Sequence, residues 1–335
     1  FLPAGAGTLL IFFPKNWASQ IKWFSAVISG ITLAITLYIF SLYDYEKGGF
    51  QFESSYNWLT QPININFSLG IDGISTAMLL LTGIVMFSGV LLTWNLERRV
   101  KEFFILFMFL LSGVFGVFAV RDLFFLFFFY ELAVLPMYPL IGIWGSSSDF
   151  GTFLRTKEYG AMKLVLYLVG GSVLVWIGII GVYAASSDFG TPTFSLETLS
   201  VISQQGAFSH DFQLFFFPLF MIGFGILAGL WPFHTWSPDG HVAAPTSVSM
   251  VHAGVLMKLG AYGIIRVGMT ILPEGAQDWM PALIVFGTIN VIYGAVAAMS
   301  QRDLKYVVGY SSVSHMGIVL MGIATLNPMG MGGAV

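Results

Sequence analysis

Three ionisable residues stand in stretches that composition assigns to the membrane: Glu131, Lys163 and Lys258. Glu131 follows the apolar run Leu123 to Tyr130 and precedes Leu132 to Leu135, and Lys258 sits in Val255-Leu256-Met257-Lys258-Leu259-Gly260. A charge at the centre of a bilayer costs about 2.5–3.5 kcal/mol even on a lenient insertion scale, so such residues face protein or water and serve a pathway. Burial and a nearby opposite charge act on proton affinity in opposite directions, so a buried carboxylate and ammonium can together load and release protons near neutral pH. The competing reading is an ion pair of Glu131 and Lys258 that only fixes helix packing. Lys163 lies near a helix end, where a lysine can also snorkel to the interface.

Histidines extend the set. His234 and His241 flank Pro232-Phe233-His234-Thr235-Trp236-Ser237-Pro238-Asp239-Gly240, which no continuous helix would choose, because each proline removes a backbone donor. One reading is a discontinuous helix gating a polar path; the other is a helix end followed by an interfacial loop. A metal site from these two histidines lacks a third ligand at a useful spacing. His252, six residues before Lys258, lies off the lysine's face and reads as packing or a second line. His315 lies among Ser311, Ser312 and Ser314, which suits a proton relay or a satisfied structural histidine.

The elements that must hold these groups are membrane helices. Of 335 residues, 56% are hydrophobic and 9% charged, against roughly 25% charged in a soluble domain. Such a chain is not a soluble globular protein. A net charge of -3 with no basic run excludes nucleic-acid binding. The absence of cysteine excludes disulfides, thiolate metal sites and Cys-ligated iron–sulfur clusters within the chain. Apolar windows predict spans near 22–43, 71–95, 103–120, 121–144, 159–185, 212–231, 246–271, 280–299 and 304–325. Phe1 to Phe13 is too short to cross a bilayer and lacks the basic region of a leader, so it reads as the end of a further helix. The Gly- and Met-rich stretch Leu326 to Val335 stops without a terminator, so both ends read as cut. The polar connections 44–70 and 186–211 are too small for a second domain.

Orientation follows the basic residues. Lys15, Lys22, Arg98, Arg99, Lys101, Arg155, Lys157, Arg302 and Lys305 fall on one side, and Lys47, Arg121 and Arg266 on the other. That bias places loops 14–21, 96–102, 145–158 and 300–303 in the cytoplasm, with the membrane a bacterial inner (plasma) membrane or an equivalent energy-transducing one.

The strings Pro232 to His241, Ala244-Pro245-Thr246, Leu256 to Arg266 and Tyr310 to Gly317 resemble the antiporter-like membrane subunits of respiratory complex I, the family of bacterial subunit M and mitochondrial subunit 4. The likeness runs over essentially the whole chain. It implies an all-α polytopic membrane protein, an antiporter-like bundle of inverted five-helix repeats with a discontinuous helix, about ten of fourteen helices being present. Residues 1–102 would then be N-terminal transmembrane helices, 103–271 the first repeat with its proton half-channel, and 280–335 the start of the second repeat, cut short. By position Glu131 resembles the family's carboxylate on the fifth helix, Lys163 its lysine on the sixth and Lys258 its central lysine on the eighth. His315, His234 and His241 would complete the proton pathway.

One departure matters: the family's lysine on the broken seventh helix falls at Leu227. Either Lys163 and waters replace it, or Glu131 rests protonated, or this half-channel conducts poorly. Ser237 and Gly240 also stand where Leu and Ala are common. The implied function is proton translocation in an NADH:quinone oxidoreductase with no redox site in this chain. Flavin, iron–sulfur clusters and quinone would then lie in partner subunits, and the neighbours would be other membrane-arm subunits and lipid. The alternative is a subunit of a multisubunit cation/proton (Na+/H+) antiporter; a purely structural scaffold is a third reading.

Overall fold

A computed structural model describes residues 1–59, 63–149 and 154–335. In chain order the helices are α1 (Leu2–Ile11), α2 (Ala18–Leu42), α3 (Gly73–Leu92), α4 (Val100–Ala119), α5 (Leu123–Val134), α6 (Met137–Trp144), α7 (Lys157–Ser186), α8 (Leu196–Gln204), α9 (His210–Ala228), α10 (Trp236–Ala243), α11 (Thr246–Val251), α12 (Met257–Gly263), α13 (Pro273–Met299), α14 (Leu304–Ala324) and α15 (Pro328–Ala334). Among the described residues, nine helical segments are long and apolar enough to cross a membrane, with α5–α6, α9–α10 and α11–α12 each forming one segment. They match the sequence windows within a few residues, except that the span expected from 280 starts at Pro273 and the window ending at 231 continues to Ala243.

Five of the spans begin where an apolar run meets a side chain that accepts from the first free amides. Asp72 accepts from the Ser75 amide, Asp122 from Phe124 and Phe125, Thr156 from Tyr159, Ser209 from Phe212 and Asp303 from Lys305. Asp122 lies just outside the α5 span and is 1% exposed. Burial pushes its carboxyl from 3.8 up to about 6, with the Phe125 and Phe124 amides acting in the opposite direction. The folded-state value lies above the unfolded one, so stability falls as pH rises between these two values and is level above them. Asp122→Asn keeps a good cap and removes the titration. In calorimetry of the solubilised complex, the thermal midpoint of this variant is expected to lose its fall across that pH window.

Two elements were not visible in composition. The 44–70 connection contains an antiparallel hairpin, β1 (Gln51–Leu59) against β2 (Ile65–Ile71), and the 186–211 connection contains α8. Both lie on the acidic-loop side, where Arg121 NH donates to Ser68 O and its guanidinium reaches Glu53 and Glu197, each at 2.5 Å. On the basic-loop side, β3 (Ser148–Asp149) pairs with β4 (Leu154–Arg155), and residues 150–153 of the 145–158 loop lie outside the described residues.

Helices approach closely where side chains are small. A Cβ on Gly171 of α7 would stand 2.8 Å from Gly223 O of α9, and one on Gly223 would stand 2.7 Å from Gly171 O. Van der Waals packing of this kind holds helices together where lipid removes the hydrophobic drive.

Candidate functional site

The break in the seventh span has a specific construction. α9 ends at Gly229, whose positive φ of 78° suits a residue without Cβ, and the chain turns through Pro232 and a single 3-10 turn before α10 restarts. α10 is buried at every position, so the discontinuous-helix reading holds rather than the interfacial loop. The freed backbone is satisfied from another helix. Asn290 of α13, fully buried, accepts from Trp231 NH at 2.6 Å and donates to Gly229 O at 2.9 Å. Trp236 Nε1 donates across the break to Ile226 O at 3.0 Å. Asn290→Leu leaves both backbone groups without a partner, at about 1–3 kcal/mol each. The expected result is a lowered thermal midpoint with faster proteolysis near residues 229–232, read by limited digestion in detergent.

α10 carries a residue that the sequence reading passed over. Asp239, 5% exposed, takes Lys163 Nζ at 2.8 Å on Oδ2, and Arg155 together with the Tyr306 hydroxyl, at 3.2 Å, on Oδ1. Lys163 is therefore held by Asp239 at the basic-loop end. Among the described residues no ion pair links Lys163, or Lys258, to Glu131. One turn further along α7, the Tyr167 hydroxyl accepts from Thr235 at 3.3 Å. α7 thus presents Lys163 and, one turn on, Tyr167 toward α10 and the break before it.

Lys258 occupies a different place, on the helix formed by α11 and α12. Two π-helical stretches, His252–Leu256 and Ile264–Met269, interrupt that helix on either side of α12. A π turn shifts the usual bonding pattern, and Lys258 Nζ donates to Ala253 O, five residues back. Its ammonium lines a cavity of about 630 Å³ together with His241, Ser249, Lys305, Ser312 and His315. It also lines a second cavity of about 160 Å³, with Tyr262, Met78 and Ile265.

The histidines divide accordingly. His241 Nδ1 lies 3.1 Å from Ser249 Oγ, and its ring stacks on His252 at 3.9 Å, which in turn stacks on Trp236 at 5.0 Å. His315 Nδ1 lies 2.7 Å from Ser311 O on its own helix and faces the larger cavity. His234 is elsewhere, buried with its ring on Tyr293 at 4.9 Å. Among the described residues neither ring nitrogen of His234 or His252 has a hydrogen-bond partner, and both residues are buried polar groups of the kind that ordered water satisfies. The structure thus brings His241, Lys258 and His315 to one cavity, joins Lys163 to Asp239, and sets Glu131 and His234 apart. Among the described residues no group of three or more His, Asp or Glu is placed to hold a metal ion.

Comparison with known proteins agrees with this architecture. Residues 120–335 match the model of a family described as NADH:quinone oxidoreductase/Mrp antiporter, transmembrane. The whole chain is 35% identical to NAD(P)H-quinone oxidoreductase chain 4, chloroplastic, from Angiopteris evecta, and spans 64% of that relative's length. Among solved structures it superposes on a chain of respiratory complex I from Thermus thermophilus with bound NADH, with TM-score 0.83, 25% identity, 99% of this chain and 65% of the other. A chain of the Mrp complex from Dietzia sp. DQ12-45-1b shares the fold, with TM-score 0.78 and 19% identity over 99% of this chain and 59% of the other.

Proposed function

The chain belongs to the NADH:quinone oxidoreductase/Mrp antiporter transmembrane family, and on that premise we propose that it is a proton-translocating membrane-arm subunit of an NADH:quinone oxidoreductase. The observation that carries the reading is Lys258, an ammonium at mid-depth standing between two cavities. The larger cavity reaches Leu304 and Lys305 at the basic-loop end, so water entering there meets His315, His241 and then Lys258. The second entry is the α7 face on which Asp239 and Lys163 form the mouth and Tyr167 follows, leading toward Glu131.

These groups hold and pass protons, while redox chemistry belongs to partner subunits carrying flavin, iron–sulfur clusters and quinone. Energy from quinone reduction reaches this chain as electrostatic displacement along Glu131, Lys163, Lys258 and His315. Residues 103–271 form the first repeat and 280–335 the start of the second, with loops 14–21, 96–102, 145–158 and 300–303 facing the cytoplasm of a bacterial or equivalent energy-transducing membrane. Leu227, fully buried, supplies no cation opposite Glu131, so the functional weight of this half falls on Lys258.

The test is the composition and cofactor content of the native detergent-solubilised complex, by mass spectrometry and visible absorbance, with NADH-driven proton uptake in inverted vesicles. Flavin, iron–sulfur partners and sodium-independent uptake are expected. A complex of small hydrophobic subunits alone, exchanging sodium for protons without NADH, would overturn the reading in favour of a multisubunit cation/proton antiporter.

A further inference from the structure

The smaller cavity beside Lys258 opens onto a polar chain that the proposed pathway leaves unused. Tyr262 lies one helical turn beyond Lys258 on the same face, and the two share the cavity of about 160 Å³, whose other walls include Ile74, Met78, Leu81 and Val319. Lys258 and Tyr262 are the polar residues on its otherwise apolar walls, so water in it is held by these two, in a volume with room for about five at their liquid share of roughly 30 Å³ each. The Tyr262 hydroxyl lies 3.1 Å from Ser75 Oγ, accepts from Arg266 Nε at 3.3 Å, and is 4% exposed. Arg266, placed by the second π-helical stretch, pairs with Asp72, and the other oxygen of that carboxylate holds the Ser75 amide at 2.9 Å. Asp72 and Arg266 lie at the acidic-loop end, away from the mouth formed by Asp239 and from Lys305.

We propose that Tyr262, Ser75 and Asp72 form a hydrogen-bonded outlet from Lys258 to the acidic-loop side, so that the 103–271 half carries its own proton exit. This inference rests on the reading of Lys258 as a proton carrier. In each turnover the ammonium of Lys258 gives one proton to cavity water. Water passes a proton to Tyr262 Oη as Tyr262 gives its own to Ser75 Oγ, and Ser75 in turn releases its proton through water to the Asp72 carboxylate, which sits on the Ser75 backbone amide and from which solvent removes it. Every hydroxyl ends with the protons it began with, and Lys258 ends neutral, ready to be reloaded from the larger cavity. Arg266 acts as a positioning residue: it fixes both the Tyr262 oxygen and the Asp72 carboxylate, and it weakens its hold on Asp72 when that group is protonated.

The test uses the assembled complex in inverted vesicles, measuring protons moved per NADH oxidised. Tyr262→Phe keeps the ring that packs edge-on against Phe118 at 5.1 Å and removes only the hydroxyl. The expected result is a stoichiometry lowered to the level of Lys258→Met, with NADH oxidation and thermal midpoint retained; Ser75→Ala, a smaller change, gives a second measurement of the same chain. Full stoichiometry in Tyr262→Phe and Ser75→Ala, with a loss in Lys258→Met, overturns the outlet and leaves Lys258 in place. Full stoichiometry in Lys258→Met overturns the underlying reading and the outlet with it. A loss in Tyr262→Phe that accompanies a fallen midpoint marks a structural role and also overturns the outlet.

Discussion

Replacing Lys258 with methionine is expected to reduce the proton translocation carried by this chain at least tenfold while electron transfer in the assembled complex continues. Methionine preserves the length and flexibility of the stem but has no proton to give, so the break falls where the two cavities meet. A tenfold loss corresponds to about 1.4 kcal/mol in the barrier, and the variant removes the group through which the proposed path runs, so the tenfold figure is a lower bound. The check is the quenching of a pH-sensitive dye in inverted vesicles fed NADH, with quinone reduction followed in parallel and an uncoupler as control. Retention of full pumping would refute the role assigned to Lys258.

The largest stability effect is expected at Asp239. Removing one member of a buried ion pair costs about 3–5 kcal/mol, because the partner charge stays behind without compensation. Asp239→Ala removes the carboxylate that pairs with the largely buried Lys163 ammonium. Lys163→Met, by contrast, leaves Asp239 with Arg155 and Tyr306 still in place, so its cost is smaller. Glu197→Gln, on a side chain 67% exposed, gives the surface-pair value of about 0–1 kcal/mol. The order Asp239→Ala, then Lys163→Met, then Glu197→Gln is therefore expected in the abundance of assembled subunit and in its thermal midpoint. An order with Lys163→Met below Asp239→Ala would show that Asp239 does not hold the cluster together.

Much of this was legible in the sequence, and for definite reasons. The spans were readable because lipid demands about twenty apolar residues in a row. Glu131 and Lys258 were readable because their cost in lipid needs a reason. Asp239 was missed because Pro238-Asp239-Gly240 reads locally as a turn, whereas here it is a buried helical start whose partners lie 76 and 84 residues earlier in the chain. A signal was present: an aspartate within a helical segment that the apolar windows on either side could have absorbed. The π turns beside Lys258 were not readable, since nothing in Val255 to Ile265 departs from an ordinary helical pattern. Nor was the hairpin at 51–71, whose first strand is mostly exposed and therefore shows no alternation of apolar residues.

The Asp239 cluster also sets an order on biogenesis. Lys163 emerges from the ribosome 76 residues before Asp239, and Tyr306 a further 67 residues later. At about 5–20 residues per second, α7 waits roughly 4–15 s for its counter-charge and the cluster about as long again for its last member. During that wait the Lys163 ammonium is tolerable only because its position near the end of α7 lets it reach the interface. Insertion of this chain therefore proceeds from a surface-anchored lysine to a sealed one, and the second half of the seventh span is the piece that draws it in.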